Sequence, residues 1–241
     1  MPSEPQIPEV VIRRLTVYAR ALAFLESEGF SVVSSQELGR RLGVTPAQIR
    51  KDLSYFYERE PGDRSKSVGF GKQGTGYAVG PTLDRIRQIL GLTREWPMVL
   101  VGVGRLGRAI VSYSGSVQQG FRVVAIFDED PDLIGQTIDG LVVQPLDQLE
   151  RTIAEKHVQI GIVAVPAGAG QRVIDILVRA GIGAILNYAP IAVRVPEWVR
   201  VRNVDPIVAL QSMTYYLVQG EGGGATHPAS LRDAADGLSE S

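Results

Sequence analysis

The chain has 241 residues, is 44% hydrophobic and 21% charged, and carries a formal net charge of −1. That is the balance of a soluble globular protein with room for one large domain or two ordinary ones, and any nucleic-acid surface on it must be local. There is no cysteine and there are only two histidines, His157 and His227, which excludes disulfides, thiolate nucleophiles and cysteine-ligated zinc.

In chain order the pattern divides into four parts. Residues 1–92 carry helical periodicity and end in a glycine-rich stretch. Residues 93–204 alternate short β-branched runs with amphipathic helical runs, as a parallel α/β sheet does. Residues 205–218 form one more helical run. Residues 219–241 are rich in Gly, Ala and Ser and are expected to be disordered, because they bury too little apolar surface to offset ordering entropy.

Within the first part, Leu15, Tyr18, Leu22 and Leu25 repeat at helical spacing, with Gly29 as a stop. A second helix opens at Ser34, with Glu37 three residues on as a capping box; Leu38 and Leu42 form its inner face and Gly43 ends it. A third opens at Thr45, with Pro46 at the first helical position and Gln48 completing a second box. Two helices joined by so short a turn have the spacing of a helix-turn-helix, whose second helix enters the major groove. On that helix Ile49, Leu53 and Phe56 face inward. Thr45, Gln48, Arg50, Lys51, Ser54 and Tyr55 are the DNA-facing candidates, Gln48 because Gln pairs bidentately with adenine, Arg50 and Lys51 because they read guanine or neutralise phosphate. In the glycine-rich stretch that follows, Phe70 and Tyr77 are expected to anchor a two-stranded wing that brings Lys66 and Lys72 near phosphates. Between Arg40 and Lys72 basic residues outnumber acidic ones eight to four. The plainer alternative is a three-helix packing domain with a solvated basic face.

The second part opens with the apolar run Met98-Val99-Leu100-Val101, a buried parallel strand. It feeds Gly102-Val103-Gly104-Arg105-Leu106-Gly107, with a helix expected to follow through about Gln118. In such a loop the first glycine makes the tight turn, the second admits a pyrophosphate and the third allows helix–strand packing, with the phosphates at a helix N-terminus. A second strand, Arg122 to Phe127, ends in Asp128, placed to bond the adenosine ribose hydroxyls and repel a 2′-phosphate. Glu129 follows with no adjacent arginine, which favours NAD(H) over NADP(H). Strand, glycines, helix, strand and acid in this order give a Rossmann domain, the context that lifts the glycine motif above chance. A helix from Leu146 to about Lys156, a strand Val158 to Val165, a helix Gln171 to Ala180 and a strand Ala184 to Leu186 continue the alternation. Pro166, Asn187 and Tyr188 stand at strand ends and are candidate neighbours of the nicotinamide; each is equally open to a packing or turn role.

A dehydrogenase needs a proton donor beside its substrate, usually His, Lys or Tyr. His157 precedes a strand, at the sheet edge opposite the crevice, and His227 lies in the tail. Tyr113 has no lysine four residues on, so no catalytic residue is assigned and no metal site is expected. The last helix, capped by Asp205 with Pro206 at its first position, is apolar nearly all round, which suits either insertion into a partner subunit or an ordinary core helix. No run approaches the roughly 20 apolar residues needed to cross a bilayer, and no signal peptide is evident; the expected location is the cytoplasm.

The strings Pro46-Ala47-Gln48-Ile49-Arg50-Lys51-Asp52-Leu53-Ser54-Tyr55-Phe56, Gly69 to Tyr77, Gly102 to Gly107 and Ile185-Leu186-Asn187-Tyr188-Ala189-Pro190 resemble those of the Rex family of redox-sensing transcriptional repressors, from about Ile7 to Val218. The resemblance implies a homodimer whose winged helices bind a palindromic operator in double-stranded DNA and whose last helix swaps into the neighbour. It implies that NADH releases DNA whereas NAD+ competes for the same site and leaves the repressor DNA-competent, and that Arg20, Tyr113 and Asp205 form a ligand-dependent network. The long N-terminal lead and the Gly-rich tail depart from the family pattern. An NAD-dependent oxidoreductase with a helical appendage, or a CoA-binding domain of the same sheet class, are the competing readings.

Overall fold

The computed structural model describes residues 7–222 apart from 57, 61–62, 69, 71–75 and 114–119; along 58–60, 63–68 and 219–222 it describes backbone alone. The chain divides into two compact units, residues 1–95 with 118–120 and residues 96–117 with 121–241.

The first unit is built on α1 (Glu9–Ser27), whose Val11, Leu15, Tyr18, Leu22 and Leu25 bury one stripe. The helix stops two residues before Gly29, which adopts a φ of +82°. Then come β1 (Val32–Val33), α2 (Ser35–Leu42), α3 (Pro46–Ser54), β2 (Glu58–Glu60), β3 (Asp63–Val68), β4 (Tyr77–Ala78) and α4 (Val79–Ile89). Leu38, Ile49, Leu53, Val79, Leu83 and Ile86 close one apolar cluster against the α1 stripe. Gly43 ends α2 in the left-handed region, and Thr45 already caps α3, so the two helices are joined by the short turn a helix-turn-helix requires. Phe56 is only partly buried but packs on this cluster, as its spacing implies.

The wing differs from expectation. β2 pairs antiparallel with β3 over Glu58–Val68, whereas Tyr77 pairs with Val33 of β1. Phe70 and Tyr77 are buried anchors, but not of one hairpin. The two strands are too polar to read as strands from hydrophobic alternation, and Pro61-Gly62 is the turn signal that would have placed them. Lys66 lies on β3 with its side chain outside the described residues, and Lys72 lies outside them altogether.

The second unit is a seven-stranded sheet: β5 (Trp96–Val101), β6 (Phe121–Asp128), β7 (Thr137–Ile138), β8 (Leu141–Pro145), β9 (Ile160–Val163), β10 (Ala184–Asn187) and β11 (Arg200–Asn203), in the spatial order β11-β10-β9-β5-β6-β8-β7. All neighbours are parallel except β7 and β8. Successive residues of β5 feed opposite faces: Val99 and Val101 pack with Leu149, Ile153, Val173 and Leu177, while Met98 and Leu100 pack with Ile126, Val143 and Ile162. A sheet buried on both faces needs helices on both. They are α6 (Leu149–Glu155) and α7 (Ala167–Arg179) on one side and α5 (Arg105–Val111) on the other. α5 ends at Val111 rather than near Gln118, and residues 114–119 lie outside those described. The chain runs from β5 outward to β6 and β8, then returns to β9 on the other flank, so its direction reverses between β5 and β9. Ligands of such sheets bind at the carboxyl ends of those strands.

The final helix, α8 (Pro206–Gly222), extends four residues past the expected end. Asp205 Oδ1 accepts the Ile207 N–H at 2.9 Å, as a cap does. Ile207, Val208, Leu210, Met213, Tyr215, Tyr216, Leu217 and Val218 are between 57% and 73% exposed, an exposed apolar surface of the kind found at interaction sites. The tail from 223 lies outside the described residues.

Candidate functional site

Two sites emerge, one in each unit. In the first, α3 is held on α1 by a buried carboxylate. Asp52 is fully buried. Its Oδ2 accepts from Arg14 Nε at 2.5 Å and from Tyr18 Oη at 2.7 Å, and its Oδ1 from Arg14 Nη2 and Gln48 Nε2, each at 2.7 Å. Burial is the largest influence on this carboxyl and pushes it up, but the bonds from Arg14, Tyr18 and Gln48 and the Arg14 charge together outweigh it and hold it below the usual carboxylate range. Burial and then the bond to Asp52 push the Tyr18 phenol up. Every acceptor direction of Asp52 is used, which is what makes a buried charge tolerable.

This network changes the account of Gln48. Its amide nitrogen gives one N–H to Asp52, which orients the amide and leaves its second N–H and its oxygen, the pair that a bidentate contact with adenine uses. The capping boxes are half-formed for a related reason. Ser34 Oγ and Thr45 Oγ1 accept the Glu37 and Gln48 N–H groups at 3.0 and 3.2 Å. The side chain of Glu37, however, goes to Arg40 and Arg41, and that of Gln48 to Asp52. Charge-assisted bonds outcompete the reciprocal backbone bond. Thr45, Arg50, Lys51, Ser54 and Tyr55 are exposed. Thr45 acts as the cap, Arg50 Nη1 donates to Ser35 Oγ at 3.0 Å, and Ser54 Oγ donates to the Lys51 carbonyl at 2.7 Å.

In the second unit, three strand ends converge on a cavity of about 390 Å³, within the range of small-molecule sites. Gly102, Gly104, Arg105, Leu106, Asp128, Glu129 and Pro166 line it, together with Val101, Leu133, Leu146, Ala164, Val165, Ala169 and Val173. None of the second group was read from the sequence as a ligand neighbour; Val101 and Val165 appear there only within strands, and Leu146 only as the start of a helix. The three glycines have separate reasons. Gly102 has φ +96°, and a Cβ there would stand 2.4 Å from the Ala164 carbonyl oxygen; a Cβ on Gly107 would stand 1.9 Å from the Gly102 oxygen. Gly104 meets nothing within 4 Å, so its missing side chain leaves open space at the head of α5. A pyrophosphate needs such a clear backbone approach beside first-turn N–H groups, and the cavity fits a dinucleotide on that ground.

The loop is fixed by charged partners. Val103 donates its N–H to Asp128 Oδ2 at 2.8 Å, and its carbonyl accepts from Arg108 Nε at 3.2 Å. Asp128 Oδ1 also accepts the Glu129 and Asp130 N–H groups at 2.8 and 3.0 Å. One lone-pair direction on Oδ2 remains for a ribose hydroxyl.

Two family models match the chain: "Putative DNA-binding protein N-terminus" over residues 6–54 and "CoA binding domain" over residues 93–191. The redox-sensing transcriptional repressor Rex of Chloroflexus aggregans is 53% identical over 219 residues, covering 91% of this chain and 98% of its own. The chain belongs to the Rex family. The Rex protein of Brevibacillus brevis is 44% identical and is covered in full, with 90% of this chain. Among solved structures, the Rex-family repressor RSP in complex with NAD+ and operator DNA superposes with a TM-score of 0.82 at 36% identity, covering 92% of this chain and all of that one. RSP with NADH gives 0.77 at 35%, covering 90% and 97%. The fold class read from the sequence, a DNA-binding N-terminal domain followed by a Rossmann-type parallel sheet, is thus that of the Rex family.

Not every residue expected at the Rex ligand site lines the cavity. Val103 and Gly107 hold the loop from behind. Asn187 is buried, and its amide nitrogen donates to the Ala189 carbonyl and Asn203 Oδ1, both at 2.9 Å, while its oxygen accepts the Ala189 N–H at 3.0 Å. It builds the turn after β10. Tyr188 packs on the apolar cluster of the α5 face. Arg20 is exposed on α1 in the first unit; in the second, Tyr113 is exposed and Asp205 caps α8. His157 is exposed and precedes β9, at the amino end of the strand and away from the crevice.

Two outcomes are expected. Arg14→Ala leaves Asp52 buried with its main partner gone, and should lower unfolding stability by about 3 kcal/mol in urea titrations followed by far-ultraviolet circular dichroism. Because the folded carboxyl sits below its unfolded value, Asp52 contributes stability above that unfolded value and loses it as pH falls through the folded one. The stability difference between the unsubstituted chain and Asp52→Asn should therefore shrink below the ordinary carboxylate range. In the loop, Gly107→Ala has no room and should lower the melting temperature of the second unit. Gly104→Ala should leave the melting temperature in place and weaken NADH binding about tenfold, measured by NADH fluorescence.

Proposed function

We propose that this chain is an NADH-responsive transcriptional repressor that binds operator DNA through its first unit and releases it when NADH occupies the second. The observation that carries this reading is the pairing, in one chain, of a helix-turn-helix with an open glycine cradle facing an acidic strand end. It is supported by RSP, whose complexes with NADH and with NAD+ and operator DNA share the fold. In this reading residues 1–92 are the DNA-reading module and 93–204 the ligand module. Residues 205–218 join two copies into a homodimer. Eight exposed apolar side chains on α8 support that last role, since a helix apolar all round gains by burial in a partner. The tail beyond is assigned no role.

Arg50 and Lys51 are the exposed cations of α3 and are assigned to base edges and phosphates, with Thr45, Ser54 and Tyr55 beside them, Lys66 on β3 of the wing and Lys72 a few residues after it in sequence. Gln48 is assigned to a base edge through its second N–H and its oxygen, while its first N–H holds α3 on Asp52. Asp128 takes the ribose, the first-turn amides of α5 the phosphates, and Pro166 the wall of the crevice; Asn187 and Tyr188 shape its nicotinamide side through the turn after β10. Arg20, Tyr113 and Asp205 are assigned to the switch. The chain is not an enzyme in this account: among the described residues no His or Lys lines the cavity, and the Rex relatives are named as repressors. Its place of action is the cytoplasm, where the operator DNA of a bacterium lies.

The physical requirement on the switch is simple. NADH can shift the dimer only by binding its DNA-incompetent form more tightly than the competent one, and operator DNA must weaken NADH binding by the same factor. An apolar nicotinamide pocket favours the neutral reduced ring over the cationic oxidised one through desolvation.

Gel shifts with a palindromic operator, titrated with NADH, NAD+ and NADPH, test the whole reading. NADH is expected to release DNA and NAD+ to leave it bound; DNA retained at saturating NADH rejects the sensor. Arg50→Ala and Lys51→Ala are each expected to weaken operator binding by roughly 1–3 kcal/mol and to flatten its salt dependence by about one unit of slope. NADH affinity should stay the same in both, and equal losses in both ligands would assign these residues to the fold.

A further inference from the structure

The acidic end of β6 is not surrounded by acids alone. Arg172, on α7, donates from Nη2 to Glu129 Oε2 across 43 positions of sequence. Glu129 lines the dinucleotide cavity, and so do Ala169 and Val173, which flank Arg172 on the same helix. Arg105 of the glycine loop lines it too. The acidic strand end at the cavity thus has a guanidinium beside it, that of Arg172 on Glu129, and the absence of an arginine next to Glu129 in sequence does not describe its surroundings.

The two carboxylates are held differently. Asp128 accepts three backbone N–H groups and anchors the glycine loop, so its removal would disturb the cradle itself. Glu129 has its side chain on Arg172, with the two side chains 58% and 56% exposed. A pair so open to water contributes little to folding. Its effect is on charge: it occupies an arginine that stands beside a residue of the cavity wall. A 2′-phosphate carries about −1.5 to −2 charges near neutral pH, and guanidinium binds phosphate through two parallel hydrogen bonds. Whether the site repels or accepts that group depends on whether Arg172 is occupied.

We propose that Glu129 sets the preference for NAD(H) over NADP(H) by keeping Arg172 paired, so that Arg172 is a latent 2′-phosphate ligand. This rests on the reading of the cavity as a dinucleotide site and assigns the source of its selectivity. Glu129→Gln keeps the shape and removes the charge, leaving Arg172 free; the doubly substituted Glu129→Gln/Arg172→Ala chain removes both.

The test measures dissociation constants for NADH and NADPH by ligand fluorescence on the full chain and both variants, with far-ultraviolet circular dichroism to verify folding. The ratio of NADPH to NADH affinity is expected to rise about tenfold in Glu129→Gln, to fall back in the double variant, and to lose most of its gain at high salt. An unchanged ratio in Glu129→Gln, or a gain that survives removal of Arg172, overturns the proposal while NADH binding itself upholds the functional reading. Absence of NADH binding by the unsubstituted chain overturns both.

Discussion

At Gly102 the chain leaves β5 and crosses within touching distance of the Ala164 carbonyl, where the chain leaves β9. The crossing is held from three sides. Gly102 donates to the Phe127 carbonyl at 2.8 Å, Ala164 donates to the Val101 carbonyl at 2.8 Å, and the neighbouring Val103 peptide is bonded at one end by Asp128 and at the other by Arg108. No side chain fits at Gly102, and none fits at Gly107 behind it. The ends of β5, β6 and β9 are thereby fixed relative to each other before any ligand arrives. A site formed in this way spends little of its binding free energy on ordering the loop, and for a sensor that leaves more of the ligand's preference available to bias the dimer.

The first unit has its own fixed point in Asp52, and the two resemble each other in kind. In each, a carboxylate that accepts several hydrogen bonds ties a functional helix or loop to the element behind it. Asp52 ties α3 to α1, and Asp128 ties the glycine loop to β6. The difference is solvent. Asp52 is wholly buried and depends on Arg14 for charge balance, whereas Asp128 sits at a cavity rim with one acceptor direction left open. A structural carboxylate and a ligand-reading one are distinguished here by that remaining direction and not by residue type.

Much of this was legible along the chain. The stripe Leu15, Tyr18, Leu22 and Leu25 is buried as its spacing implies, and Ser34 and Thr45 cap the helices they precede. The glycine loop lies between a buried strand and a helix, with Asp128 beside it. Polar strands were not legible: β2 and β3 carry no hydrophobic alternation, and the wing was placed too late in the chain. Nor was the fate of polar side chains. The bond from Gln48 to Asp52, the pairing of Glu37 with Arg40 and Arg41 in place of its half of a capping box, and the turn that Asn187 closes were all invisible in the spacing.

The sequence by itself determined whatever depends on near neighbours: helical and strand periods, caps, the positions that only glycine tolerates, and the order of strand, loop, helix and acid that marks the dinucleotide site. Each of these follows from local sterics and from hydrogen bonds a few residues long. The tertiary structure alone decided which distant groups share a cavity or a charge. Arg14 meets Asp52 across 38 positions and Arg172 meets Glu129 across 43, and nothing in the spacing of those residues announces either pair. Electrostatic partners are chosen by the packing of helices on a sheet or on one another. The glycine loop could thus be recognised from its sequence, while the charges that surround its ligand appeared only in the fold.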